Sequence, residues 1–142
     1  MKVLVINGAN LNCLGTREPD IYGSASLADL EKMLKSKADS LGISIDFFQS
    51  NHEGAIIDAI HSANGDIDFM IINPGAYSHY SIAIRDAISL VGYPVFEVHL
   101  SNIYAREEFR RTSCISPVCK GTISGFGLYG YIMALEAGVQ SI

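Results

Sequence analysis

Short runs of β-branched and apolar residues recur along the chain at Val3–Ile6, Ile43–Phe48, Ile67–Ile72, Pro94–Val98 and Val118–Ile123. Their length and character predict strands buried on both faces. Between most of them lie stretches of helical period. Leu27, Leu30, Leu34, Ala38 and Leu41 share one stripe, as do Ile56, Ile60 and Ala63, then Ile84, Ile88 and Val91, and finally Leu128, Ile132, Leu135 and Val139. Each stripe is able to pack on a sheet. Ser26 with Asp29 and Ser50 with Glu53 have capping-box spacing, while Gly42, Asn64-Gly65 and Gly92 stand where left-handed helix terminators are expected. Strand and helix in alternation predict an α/β fold: a flavodoxin-like, doubly wound three-layer sandwich around a five-stranded parallel sheet. With 142 residues, 49% of them apolar, the pattern fits one catalytic domain spanning 1–142.

Ligands of such folds bind beyond the carboxyl ends of the strands, and the polar residues of this chain collect there. Asn7 to Asn12 follow the first strand, Asn73 to His79 the third, and Glu97 to Asn102 end the fourth. The segment from Cys13 to Ala25 is about twice as long as a usual βα loop and shows no period, which points to a binding loop or lid. Within it, Arg17 and Tyr22 are able to approach each other, and a guanidinium favours tyrosinate. Glu97 and His99 are two apart on a strand and so share a face, where the carboxylate orients the imidazole and favours its charged form. Spacing alone leaves open whether these are a base and an acid, or a solvated loop pair and a histidine satisfying a sheet edge. The backbone N–H groups of Leu100 and Ser101 lie in the turn beyond, a place suited to a carboxylate. His79 is expected to open the third helix, with Asp86 two turns later on the same side; Arg110 and Arg111 belong to a charge run that reads as an exposed helical turn.

Charge and motifs narrow the chemistry. Ten basic against 15 acidic residues give a net charge of −5, without the basic field that nucleic acid or an anionic membrane requires. The opening apolar run is too short for a secretion signal, and three cysteines without a Cys-x-x-Cys spacing suit free thiols in the cytoplasm. Gly125 to Gly130 matches G-x-G-x-x-G, but only 12 residues follow Gly130, so the acidic strand of a dinucleotide site has no room and close helix packing is the better reading. No zincin pair, phosphate loop or Gly-x-Ser-x-Gly elbow is present. Acid–base chemistry without metal or cofactor is the expectation.

Taken together, Asn7-Gly-Ala-Asn-Leu-Asn12, Arg17-Glu-Pro-x-x-Tyr-Gly23, Phe48-Gln-Ser-Asn-His-Glu-Gly54, Asn73-Pro-Gly-Ala-Tyr77 and Glu97-Val-His-Leu-Ser-Asn102 resemble type II 3-dehydroquinate dehydratases. The resemblance covers nearly the whole chain in order. It implies cofactor-free elimination of water from 3-dehydroquinate in the shikimate pathway, and a homododecamer built as a tetramer of trimers. It also implies roles: Tyr22 as base, Arg17 beside it, Asn12 holding the enolate through water, and His99, oriented by Glu97, as the acid. Asn73 with the backbone of Leu100 and Ser101 would hold the substrate carboxylate. His79, Arg110 and Asp86, the last from a neighbouring subunit, would engage its hydroxyls. The pattern departs at Ala9, where the family usually has proline, and at Cys13, where a larger apolar residue is common; alanine leaves free an angle that proline fixes. The rival from another class is a flavodoxin-like signalling or flavin-binding module. Against it stand Asn73 in place of a receiver aspartate and a first loop of Asn and Leu in place of Ser and Thr.

Overall fold

A computed structural model describes residues 1–16 and 18–142, with only the backbone of Pro19 and Tyr22. Five strands, β1 (Lys2–Asn7), β2 (Ser44–Gln49), β3 (Phe69–Asn73), β4 (Val95–His99) and β5 (Gly121–Ser124), form one sheet in the order β2-β1-β3-β4-β5, every pair parallel. The flavodoxin-like sandwich expected from the pattern is thus present. Its helices are α1 (Pro19–Tyr22), α2 (Leu27–Leu41), α3 (Glu53–Ser62), α4 (Ile82–Leu90) and α5 (Tyr129–Ser141).

The two faces of the sheet separate by strand alternation. Val3, Val5, Phe69, Ile71, Phe96 and Val98 pack against Leu30 and Leu34 of α2 and Leu135 of α5. Ile6, Met70, Ile72 and Val95 pack against Ile56 and Ile60 of α3 and Ile84 and Ile88 of α4. Side chains two apart on a strand therefore meet the same helical layer. On α5, Gly138 lies so close to the sheet that an added Cβ would fall 2.2 Å from a ring carbon of Phe69. Gly138→Ala should lower unfolding free energy by about 1–3 kcal/mol through overpacking, read as a fall in the denaturant midpoint at unchanged slope; an unaltered midpoint would show that Phe69 yields freely.

Local signals hold in part. Ser26 and Asp29 form the reciprocal capping box, and Gly42 ends α2 at φ 68°. Ser50 and Glu53 do not cap each other: His52 is the N-cap of α3, the Ser50 hydroxyl accepts from the His52 N–H, and Glu53 accepts from Ser81 Oγ at 2.6 Å. Gly92 is no left-handed terminator either. Helix α4 ends into extended Val91, and the Gly92 N–H donates to Asn64 Oδ1 just beyond the neighbouring helix α3. The last strand begins at Gly121, not Val118, because Ser116–Val118 winds into a 3₁₀ turn whose Val118 N–H returns to Ile115. In the glycine-rich turn, Gly130 does pack closely, within 3.3 Å of Ile123 and 3.5 Å of Val98 for an added Cβ.

Candidate active site

A cleft of about 590 Å³, measured out to its solvent opening, lies beyond the carboxyl ends of β1, β3 and β4. This is the switch point of the 2-1-3-4-5 order, where connections from β1 and β3 leave in opposite directions. The floor is tightly made: the Gly8 N–H donates to the Asn73 carbonyl at 2.8 Å, and an added Cβ on Gly8 would overlap Pro74, as one on Gly75 would overlap Ala9. Gly75 also needs its φ of 66°.

Alternation along β4 sends Val95, Glu97 and His99 toward the α3–α4 layer. Glu97 is completely buried and accepts from His99 Nε2 at 2.7 Å, from Ser113 Oγ at 2.8 Å and from Ser116 Oγ, with Thr122 Oγ1 at 3.4 Å. Burial by itself would raise its pKa. The bond and charge of His99 and the hydroxyls of Ser116 and Ser113 together outweigh it, holding the carboxyl below its ordinary value. Since Nε2 of His99 is committed to Glu97, Nδ1 is the nitrogen left for the cleft. The thiol of Cys119, by contrast, is pushed up to about 12 by burial and by the Glu97 charge, which makes it unreactive. All three cysteines are free, as expected.

His79 stacks on His99 with ring centroids 6.0 Å apart and bonds the Thr112 carbonyl through Nδ1 at 2.8 Å. A carbonyl only accepts, so Nδ1 carries the proton and Nε2 is the acceptor. Burial, more than the charges of His99 and Arg110, lowers its pKa despite Thr112 and Glu97, so His79 is a neutral imidazole at pH 7. It does not open a helix with Asp86. His79 ends a 3₁₀ turn, Gly75–His79, and α4 starts afresh behind Ser81, whose hydroxyl caps Ile84. Asp86 is exposed on α4 and is not part of the cleft wall.

The same cleft holds unpaired backbone donors. Among the described residues, the N–H groups of Leu100 and Ser101 meet no acceptor, and both residues line the cleft beside the Asn73 carboxamide. Arg106 and Arg110 line it as well, so the run from Arg106 to Arg111 is more than an exposed turn. Their guanidiniums are largely covered and tethered to carboxylates, Arg110 to Glu107, and Arg106 to Glu107 and Glu18. Arg106 escaped the reading from spacing; its only signal was membership of the charge run. Asn12 is exposed on a 3₁₀ turn and does not line the cleft, whereas Asn10 does, held at φ 70° with its N–H on Asn51 Oδ1. Arg17 and the Tyr22 side chain lie outside the described residues; the Tyr22 backbone closes α1. No three His, Cys, Asp or Glu side chains among the described residues cluster as metal ligands would.

A buried carboxylate–imidazole pair at a cleft with two arginines and free backbone donors, on a doubly wound parallel sheet, defines an acid–base enzyme of the α/β class. The Dehydroquinase class II family model matches residues 1–139, and the chain belongs to that family. It is 61% identical over 137 residues to a 3-dehydroquinate dehydratase of Caldicellulosiruptor bescii, covering 96% of this chain and 94% of the other. It is 55% identical over 136 residues to one of Dinoroseobacter shibae, covering 96% and 91%. The crystal structure of a type II dehydroquinase from Butyrivibrio crossotus superposes with a TM-score of 0.96 at 52% identity, covering 97% of both chains. The signalling or flavin-binding alternative finds no support in these similarities.

Proposed function

We propose that this chain is a 3-dehydroquinate dehydratase, a hydro-lyase converting 3-dehydroquinate to 3-dehydroshikimate in the shikimate pathway. The observation that carries the reading is the buried Glu97–His99 pair, 2.7 Å apart, at the edge of a pocket with free backbone donors. In the first step Tyr22, with Arg17 beside it, removes a proton next to the ketone, and the electrons move to the ketone oxygen as an enolate. In the second, the enolate reforms the ketone, the ring C–O bond breaks, and Nδ1 of doubly protonated His99 gives the departing hydroxyl its proton, releasing water. No metal or cofactor enters either step.

The substrate carboxylate rests on Asn73 and the N–H groups of Leu100 and Ser101. His79 and Arg110 take its hydroxyls. Asp86 reaches the substrate from a neighbouring subunit of a homododecamer arranged as four trimers. In support, Ile82 and Leu90, 65% and 73% exposed, flank Asp86 at four-residue spacing on the outer face of α4, an apolar stripe suited to a subunit contact. Among the described residues no helix is long and apolar enough to cross a membrane; the compartment we propose for the enzyme is the cytoplasm.

Purified protein mixed with 3-dehydroquinate and a chelator should produce the ultraviolet absorbance of a conjugated enone. Folded, assembled protein that produces none would overturn the assignment.

A further inference from the structure

We infer that Tyr131, a residue of α5 with no access to the cleft, is a positioning residue for Asn73 and so sets affinity for the substrate carboxylate. The inference rests on the proposed contact between Asn73 and that carboxylate.

The geometry begins with register. Asn7 and Asn73 end neighbouring parallel strands as direct partners, and both follow the residues that face the α2–α5 layer, Val5 and Ile71. Two carboxamides are thereby placed side by side in an apolar layer, 1% and 4% exposed, where each polar atom without a partner is penalised. Tyr131, fully buried on α5, meets both: its hydroxyl accepts from Asn73 Nδ2 at 2.9 Å and donates to Asn7 Oδ1 at 2.7 Å.

The direction of these bonds is forced. The Gly75 N–H, 3.1 Å from Asn73 Oδ1, can only donate. Oδ1 therefore faces Gly75, Nδ2 faces Tyr131, and the Tyr131 proton is left for Asn7. One N–H of Asn73 is consumed in this relay and the second remains for a ligand in the cleft that Asn73 lines. Without the hydroxyl of Tyr131, the carboxamide has a partner at one end only and can rotate about its last torsion. The relay also leaves Asn7 Nδ2 buried without a partner among the described residues. A network arranged only for stability would not strand a donor; one arranged to hold Asn73 in a fixed sense does. The long reach, from residue 7 through 73 to 131, ties two strands of the sheet and the α5 layer above them to one N–H vector.

The carboxylate is carried by the ring carbon that loses hydroxide, but its own charge and bonds do not change in the reaction; its donor therefore holds ground and transition states about equally, and losing that donor raises KM more than it lowers kcat. Tyr131→Phe, which keeps the ring and removes only the hydroxyl, should raise KM for 3-dehydroquinate by about 10-fold, the scale of one hydrogen bond to a charged group, with kcat within about 3-fold. The double variant with Asn73→Ala should bind no worse than Asn73→Ala alone, within about 2-fold. A ring analogue carrying CH₂OH in place of the carboxylate should inhibit wild type and Tyr131→Phe equally. An unchanged KM in Tyr131→Phe, a loss confined to kcat, or full additivity with Asn73→Ala overturns the inference while leaving the Asn73 contact intact. A normal KM in Asn73→Ala overturns both. If Tyr131→Phe does not assemble, Asn7→Leu removes the acceptor that orients the Tyr131 hydroxyl; a KM raised about 3-fold at unchanged kcat upholds the positioning role, and a wild-type KM refutes it.

Discussion

Replacing His99 with alanine should lower kcat by roughly 10²- to 10⁴-fold, the range supplied by a positioned proton donor. Departure of hydroxide from carbon without a proton is the step that this ring relieves, and among the described residues of the cleft none is placed to substitute. His79 lies against it but is a neutral imidazole whose only proton is bound to Thr112. The variant should also lose about 1–3 kcal/mol of stability, since buried Glu97 keeps its Ser113 and Ser116 donors but loses its ion pair. Tyr22→Phe should show a comparable fall in kcat without the stability loss, because it leaves the Glu97 cluster untouched. Turnover and thermal melting measured together on assembled protein distinguish the two. Near-normal kcat in either variant would remove that residue from the proton path.

Glu97→Gln should lower kcat by about 10²-fold or more. An amide cannot balance the imidazolium, and if its N–H₂ faces the ring, Nε2 must accept and carries no proton; the Nδ1 proton then belongs to a neutral imidazole, a much weaker acid than the imidazolium. The variant also carries a pH signature. The Glu97 pKa is lower folded than unfolded, so between its folded value and about 4.5 the unfolded chain binds more protons. The resulting stabilisation is full above the unfolded value and lost as pH falls through the folded one. His79, also lowered, has the same sign in a higher window, below about 6.5. Wild-type melting temperature should therefore decline on acidification in both windows, while Glu97→Gln keeps the upper decline and falls less steeply below about pH 4.5, where Asp29 and Glu107, lowered by their own hydrogen bonds, still contribute. Parallel melting curves for the two proteins would show that Glu97 is not the buried anion.

Much of the frame was readable without coordinates, because it depends on neighbours in the chain. The capping box of Ser26 and Asp29, the left-handed Gly42 and the helical stripes are matters of a few residues and a period. The pairing of Glu97 with His99 belongs here too, since strand alternation puts positions two apart on one face. Signals of the same kind misled where a distant partner competed. Glu53 turned to Ser81 in place of Ser50, Gly92 served Asn64 beyond the neighbouring helix, and a fresh N-cap at Ser81 separated His79 from Asp86.

The floor of the cleft was beyond any local pattern. That Asn10 and not Asn12 lines it depends on the Asn51 contact and a left-handed turn; that Arg106 enters it depends on how the β4–β5 connection folds back. Spacing by itself determined the parallel α/β sandwich, the strand ends where function lies, and the carboxylate–histidine pair, all of which follow from periods of two and 3.6. Register and layering alone decided that Asn7, Asn73 and Tyr131 meet, since hydrogen bonds spanning 58 and 124 residues exist only once the sheet has paired and α5 has docked on it.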